Sequence, residues 1–88
     1  MNITDVRIRK VQKEDSKLKA VASVTLDDAI AIHDIKIVEG TDGCFVAMPS
    51  RKTSDGEYRD IAHPINADAR NELISAIMFA YEKELANA

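Results

Sequence analysis

Apolar and polar residues alternate along the first third of the chain. Val6 and Ile8 alternate with two arginines between residues 2 and 13, as expected for a strand with one buried face. Residues 17–27 alternate in the same way and predict a second strand. Its inward-facing members are Leu18, Ala20, Ala22, Val24 and Leu26. A polar turn at residues 14–16 joins the two runs, so the pattern predicts a hairpin.

The alternation changes phase within residues 29–39. The isoleucines of this run are Ile30, Ile32, Ile35 and Ile37. The first two isoleucines follow one phase of the alternation, and the last two follow the opposite phase. One extra residue near His33-Asp34, a β-bulge, explains the change. With the bulge, the last two isoleucines face the core, and Asp34 and Lys36 face outward. The alternative is a central strand covered on both faces, for example by a second subunit.

The next segment predicts a short strand followed by a second hairpin. A turn at residues 40–43 leads into an apolar strand over residues 44–48, which ends at Pro49 because proline cannot donate a ladder hydrogen bond. Asp55-Gly56 is a strong turn signal, since glycine adopts positive φ without steric cost. Residues 57–62 are then expected to pair back across this turn.

The length of the turn decides which charges meet. A three-residue loop places Arg51 opposite Arg59 and Lys52 opposite Tyr58. A two-residue loop places Lys52 opposite Arg59, and only a four-residue loop relieves the repulsion by pairing Lys52 with Glu57. We adopt the three-residue loop. Like charges directly opposite destabilise a sheet by some tenths of a kcal/mol, so the pair suggests a polyanionic partner.

The C-terminal segment predicts an amphipathic helix. Asn66 is a suitable N-cap and Asp68 lies in the first turn, where a carboxylate is favourable. The helix is expected to run to about residue 86 and to place Phe79 beside its apolar stripe, as a candidate subunit contact. The stripe consists of Leu73, Ile74, Ile77, Met78, Tyr81 and Leu85. We therefore predict one α+β domain over residues 1–88: a small antiparallel β-sheet of about five strands with the C-terminal helix packed on one face.

The composition sets limits on the class of protein. The 88 residues carry a net charge of −3, which disfavours nucleic-acid binding on average. Positive charge is local, however, because residues 1–20 carry six basic and three acidic side chains. No run approaches the roughly 18 apolar residues of a membrane span. We therefore expect no membrane partner. The single Cys44 cannot form an internal disulfide, so we also expect a cytoplasmic protein.

Cations on hairpin tips and sheet faces can form an array that matches phosphates. Tyr58, close to the second hairpin's tip, is a candidate stacking platform for a base, although cross-strand packing is the ordinary role of a strand aromatic. The candidate nucleic-acid-binding cations are Arg51, Lys52 and Arg59, followed by Lys36, Arg70, Arg7 and Arg9. Scarce base-reading chemistry predicts that backbone phosphate dominates binding.

Other chemistry is weakly indicated. His33-Asp34 and the Asp60/His63 pair match no zinc spacing, and Cys44 lacks a CxxC partner. The three glycines all fall in turns, so no glycine-rich phosphate loop is present. We expect structural histidines and no catalytic residue, cofactor, metal or small-molecule substrate.

Four blocks carry a family resemblance. Residues 4–7, 22–27, 33–36 and especially 45–66 resemble the SpoVG family of bacterial septation and sporulation regulators. The resemblance implies a small antiparallel sheet followed by a helix, homodimers, and DNA or RNA binding in gene regulation without catalysis. It supports Lys36, Arg51, Lys52 and Arg59 as site residues, but not Arg70, which lies outside the matched blocks. The alternative function is a protein-interaction regulator that uses a sheet edge or the helix face.

Overall fold

The computed structural model describes residues 2–11 and 16–86. Six strands and one helix occur in this part of the chain. They are β1 (Ile3–Lys10), β2 (Leu18–Leu26), β3 (Ile30–Gly40), β4 (Gly43–Ala47), β5 (Ser50–Lys52), β6 (Tyr58–Asp60) and α1 (Ala67–Ala86). The turn expected at residues 14–16 lies partly outside the described residues. No helix in the described ranges is long and apolar enough to cross a membrane.

The strands form two antiparallel sheets. The main sheet is a meander with the order β1-β2-β3-β4, while β5 and β6 pair only with each other in a two-stranded ribbon. The predicted α+β fold is confirmed, but its strands are divided between two sheets. The division occurs at Pro49, which is buried and cannot donate to a ladder. The Pro49 carbonyl accepts a 2.7 Å hydrogen bond from the Ile61 backbone N–H and so closes the base of the ribbon.

The β-bulge predicted in β3 is confirmed. Ala22 pairs with Ile35 whereas Val24 pairs with Ile32, so β3 contains one more residue than β2 across this interval. Asp34 takes up the extra residue with φ at +63°, a conformation that aspartate tolerates better than most residues. Because of this shift, Ile35 is fully buried. Without the extra residue, the alternation of the first part of β3 would place Ile35 on the outward face.

The helix lies on one face of the main sheet and completes the core. Asn66 caps it as predicted, since the Ala69 N–H donates a 2.7 Å hydrogen bond to Asn66 Oδ1. The buried residues are Ala20, Ala22, Val24, Ile35, Ile37, Leu73, Ile77 and Tyr81. The buried helical positions are spaced four residues apart, so a single narrow row meets the sheet.

The predicted apolar stripe of the helix is therefore too wide. Ile74 is 36% exposed and Leu85 is 49% exposed. Ile74 lies to one side of the buried row, and Leu85 lies in the last turn of the helix. Phe79 lies outside the buried row, as expected, and is 71% exposed.

Candidate nucleic-acid interface

The ribbon has the register that the three-residue loop predicts. Arg51 pairs with Arg59, and Lys52 pairs with Tyr58. The Thr53 N–H donates to the Glu57 carbonyl at 2.7 Å, which closes the turn. Gly56 has φ at +87°, where a side chain would be strained. Turn chemistry therefore sets the cation pairing.

Alternation along the ribbon divides its cations between two faces. Arg51 and Arg59 share one face, which we call the arginine face. Lys52 and Tyr58 share the other, which we call the tyrosine face, with the Ser50/Asp60 pair next to them. Their proximity in the sequence predicted that the three cations would form one array. In the structure, Lys52 is separated from the two arginines by the thickness of the ribbon.

The arginine face keeps its positive charge. The ion pairs found among residues 2–11 and 16–86 join Arg7 to Asp5 at 3.0 Å and Lys19 to Glu39 at 3.1 Å. Neither involves the ribbon, so within the described ranges no carboxylate lies within ion-pair distance of Arg51 or Arg59. Both guanidinium groups are on exposed residues. Two adjacent, solvated guanidinium groups can donate several hydrogen bonds to one phosphate.

Tyr58 does not adopt the packed role that strand aromatics usually have. It is 72% exposed, although Lys52 lies directly opposite. An exposed phenol ring can stack on a base without sequence preference. The tyrosine face thus combines one cation with one aromatic platform.

A second group of candidate cations lies on the outer face of the main sheet, opposite to the helix. Arg9 pairs with Val21, and Val21 pairs with Lys36. Arg9 and Lys36 therefore lie two strand spacings apart, about 9.5 Å, on either side of a small apolar residue. Arg7 lies on the same face but differs in having Asp5 as an ion-pair partner.

Arg70 belongs to neither group and lies in the first turns of α1. It lines a cleft together with Asp60 of the ribbon and His63 of the connecting segment. The cleft has no signature in the sequence, because residues from three separate segments form it and no local pattern marks it.

Both histidines hydrogen-bond to neighbouring residues. Ser23 Oγ lies 3.0 Å from His33 Nδ1, and the Pro64 carbonyl lies 3.1 Å from His63 Nδ1. Across the described ranges, no three His, Cys, Asp or Glu side chains are grouped so that they could bind a metal ion.

Asp55 holds the ribbon's turn through its charge. The Thr53 hydroxyl donates to Asp55 Oδ1, and the Glu57 N–H approaches the same oxygen at 3.5 Å. These two donors, the Thr53 hydroxyl first, lower the pKa of Asp55 below its ordinary value of 3.8. The ionised carboxylate is therefore the form that the folded turn favours.

Acid should destabilise this turn, and removing the Thr53 hydroxyl should raise the pKa of Asp55. A carboxyl with a depressed pKa stabilises the folded state above its unfolded pKa, and this contribution is lost as the pH falls through the folded value. We expect Thr53→Val, which keeps the shape and strand propensity, to raise the pKa of Asp55 towards 3.8. A carbon-detected NMR titration of the Asp55 carboxyl measures both values. An unchanged pKa in the variant would show that the hydroxyl does not hold the carboxylate.

Comparisons with known proteins identify a family for this chain. The SpoVG family model matches residues 1–83. A relative from Lachnospira eligens, named "Putative septation protein SpoVG", is 61% identical over 83 residues, which cover 94% of this chain and 93% of the relative. A relative with the same name from Heliobacterium modesticaldum is 59% identical over 100% of this chain and 98% of its own length. Another, from Desulforudis audaxviator, is 65% identical over 93% of this chain and 92% of its own length. This chain belongs to the SpoVG family of septation proteins.

Proposed function

We propose that this protein is a regulatory nucleic-acid-binding protein that holds the phosphate backbone of DNA or RNA through the arginine face of its ribbon. One observation carries the proposal: Arg51 lies directly opposite Arg59, and neither has a carboxylate partner within the described ranges. Repulsion between facing cations costs stability unless an anion lies between them. A polyphosphate supplies that anion.

The overall charge of −3 does not oppose this function. Exposed charges further apart than about 8–10 Å are largely screened at physiological salt, so the local array governs the contact with phosphate. Arg9 and Lys36 form a second positive group on the outer face of the main sheet. Because phosphate contacts carry no sequence information, we expect modest sequence preference.

The test is a salt-controlled comparison of duplex DNA, single-stranded DNA and RNA, measured by fluorescence anisotropy with the full chain. Each phosphate contact should contribute about 0.9 for duplex DNA, or about 0.7 for a single strand, to the slope of log K against log salt. We expect a slope of at least about 2 for the preferred ligand. Absence of binding to all three ligands at low salt would refute the proposal.

We also propose that the protein is a cytoplasmic homodimer. Its edge strand β1 and helix α1 border a cavity of about 630 Å³, and the exposed ring of Phe79 forms part of the lining. An apolar ring beside an unpaired strand edge favours association with another chain. The same surface is where a protein partner would bind if regulation worked through protein contacts alone. Partners that survive nuclease treatment would favour that second function.

Replacing Phe79 with aspartate should shift the protein towards the monomer. Placing a charge in an apolar contact is expected to raise the dimer dissociation constant at least about tenfold, since burying an unpaired charge costs several kcal/mol. Sedimentation equilibrium across micromolar concentrations measures this constant. Glu82→Gln, also on an exposed position of α1, serves as a control expected to change it little. A wild-type chain that sediments as a monomer throughout would contradict dimerisation.

A further inference from the structure

A cleft lies where the base of the ribbon meets the first turns of α1. Its volume is about 410 Å³, within the roughly 300–1,000 Å³ of small-molecule and cofactor sites. The polar side chains that line it are Ser50, Asp60, His63 and Arg70, and the apolar ones include Val46, Met48, Pro64, Leu73 and Ile74. Apolar walls with a few convergent polar groups are typical of sites for flat organic rings.

The cleft opens beside the tyrosine face of the ribbon. The Ser50/Asp60 pair that lines it comes next to the Lys52/Tyr58 pair in the strand register, and the two pairs point to the same side. Two residues along a strand correspond to about 7 Å, or roughly two nucleotides of a stacked strand at about 3.4 Å each. A single-stranded nucleic acid that stacks one base on the Tyr58 ring therefore brings a base about two nucleotides further along to the cleft.

We propose that this cleft receives one unpaired nucleobase of a single-stranded nucleic acid. The ring would lie against Met48 and Ile74, with Asp60 and Arg70 at its polar edge and Lys52 near the adjoining phosphate. The inference rests on the proposed function in that the ligand is a nucleic acid, but it uses the side of the ribbon opposite to the arginine face. It adds a ligand class, because a base that is paired within a duplex cannot enter a cleft of this kind without being extruded.

Asp60 distinguishes a base from a phosphate. An ionised carboxylate only accepts hydrogen bonds, so it repels phosphate but accepts from the amino group of cytosine or of another base. Asp60 also borders the depression between Arg51 and Arg59. If only phosphate were bound, removing this negative charge would strengthen binding.

The Asp60→Ala variant therefore tests the inference by the direction of its effect. We expect it to weaken binding of a cytosine oligonucleotide of about eight nucleotides by about tenfold, the loss for one good base contact. The matched control is Glu57→Ala, which removes the same charge from the turn of the same ribbon but outside the cleft lining. The control should leave binding unchanged or strengthen it. If Asp60→Ala strengthens binding as much as the control does, the cleft proposal is overturned.

A second measurement on the wild-type chain does not depend on any substitution. We expect ring-current shifts of the Met48 and Ile74 methyl signals when the cytosine oligonucleotide is added, and none with an abasic oligomer of equal length. Binding of both oligomers without a difference at these methyl groups would refute the cleft site and leave the phosphate function intact. Binding of neither oligomer at low salt would refute the cleft site, and the absence of binding to duplex DNA and RNA as well would refute the proposed function itself.

Discussion

Replacing Arg51 with threonine is expected to weaken nucleic-acid binding while making the protein slightly more stable. Threonine suits an exposed strand and relieves the repulsion with Arg59 directly opposite. The relief should increase the free energy of unfolding by about 0.2–1 kcal/mol. Loss of one phosphate contact should make the slope of log K against log salt shallower by about 0.7–0.9. Binding weakens while stability rises, because the arginine pair is unfavourable in the free protein and favourable when an anion lies between the two side chains.

The opposite signs separate a binding role from a structural one. Anisotropy titrations at several salt concentrations measure the slope, and urea unfolding measures the stability. Lys17→Gln is a charge-matched control, since Lys17 is exposed and lies just before β2 rather than on the ribbon. It should leave the slope nearly unchanged. An Arg51→Thr variant with an unchanged slope would remove the arginine from the phosphate contact, and a fall in stability would assign it a structural role.

The parts of the fold that follow from local chemistry could be predicted from the sequence. The Asp55-Gly56 turn fixed the ribbon register, because only a few loop lengths are compatible with a left-handed glycine. The change of phase among the isoleucines of β3 predicted a bulge near His33-Asp34, with a strand covered on both faces as the alternative. The register of β2 and β3 confirms the bulge and places it at Asp34.

The parts that depend on tertiary placement could not be predicted. A buried Pro49 separates the ribbon from the main sheet, but the same proline is compatible with an ordinary strand end. The cleft around Arg70 requires the helix start, β4 and the ribbon base to meet, which no periodicity reveals. The division of Lys52 from the arginines is a different case, because strand alternation implies it once the register is known.

Binding chemistry and folding energy occupy different parts of this molecule. All residues of β5 and β6 are exposed, and the ribbon contributes none of the buried core. A two-stranded ribbon alone is marginally stable in water, so the Pro49–Ile61 hydrogen bond and the turn at Asp55 have to hold it in place. Substitutions on the ribbon are therefore expected to change binding more than global stability. Substitutions under the helix should do the reverse.

Ile77→Ala should have the largest effect on stability. Ile77 is fully buried in the row of helix side chains that packs on the sheet. Truncating a buried isoleucine removes transfer energy and leaves a cavity, which together cost about 2–5 kcal/mol, a large share of the roughly 5–15 kcal/mol of a typical domain. Urea unfolding at one fixed protein concentration measures the loss, because dimerisation would make stability concentration-dependent.

Ile65→Ala, at a side chain that is 86% exposed, is the matched control and should change stability by less than about 0.5 kcal/mol. Equal losses in the two variants would mean that the helix does not pack on the sheet in solution.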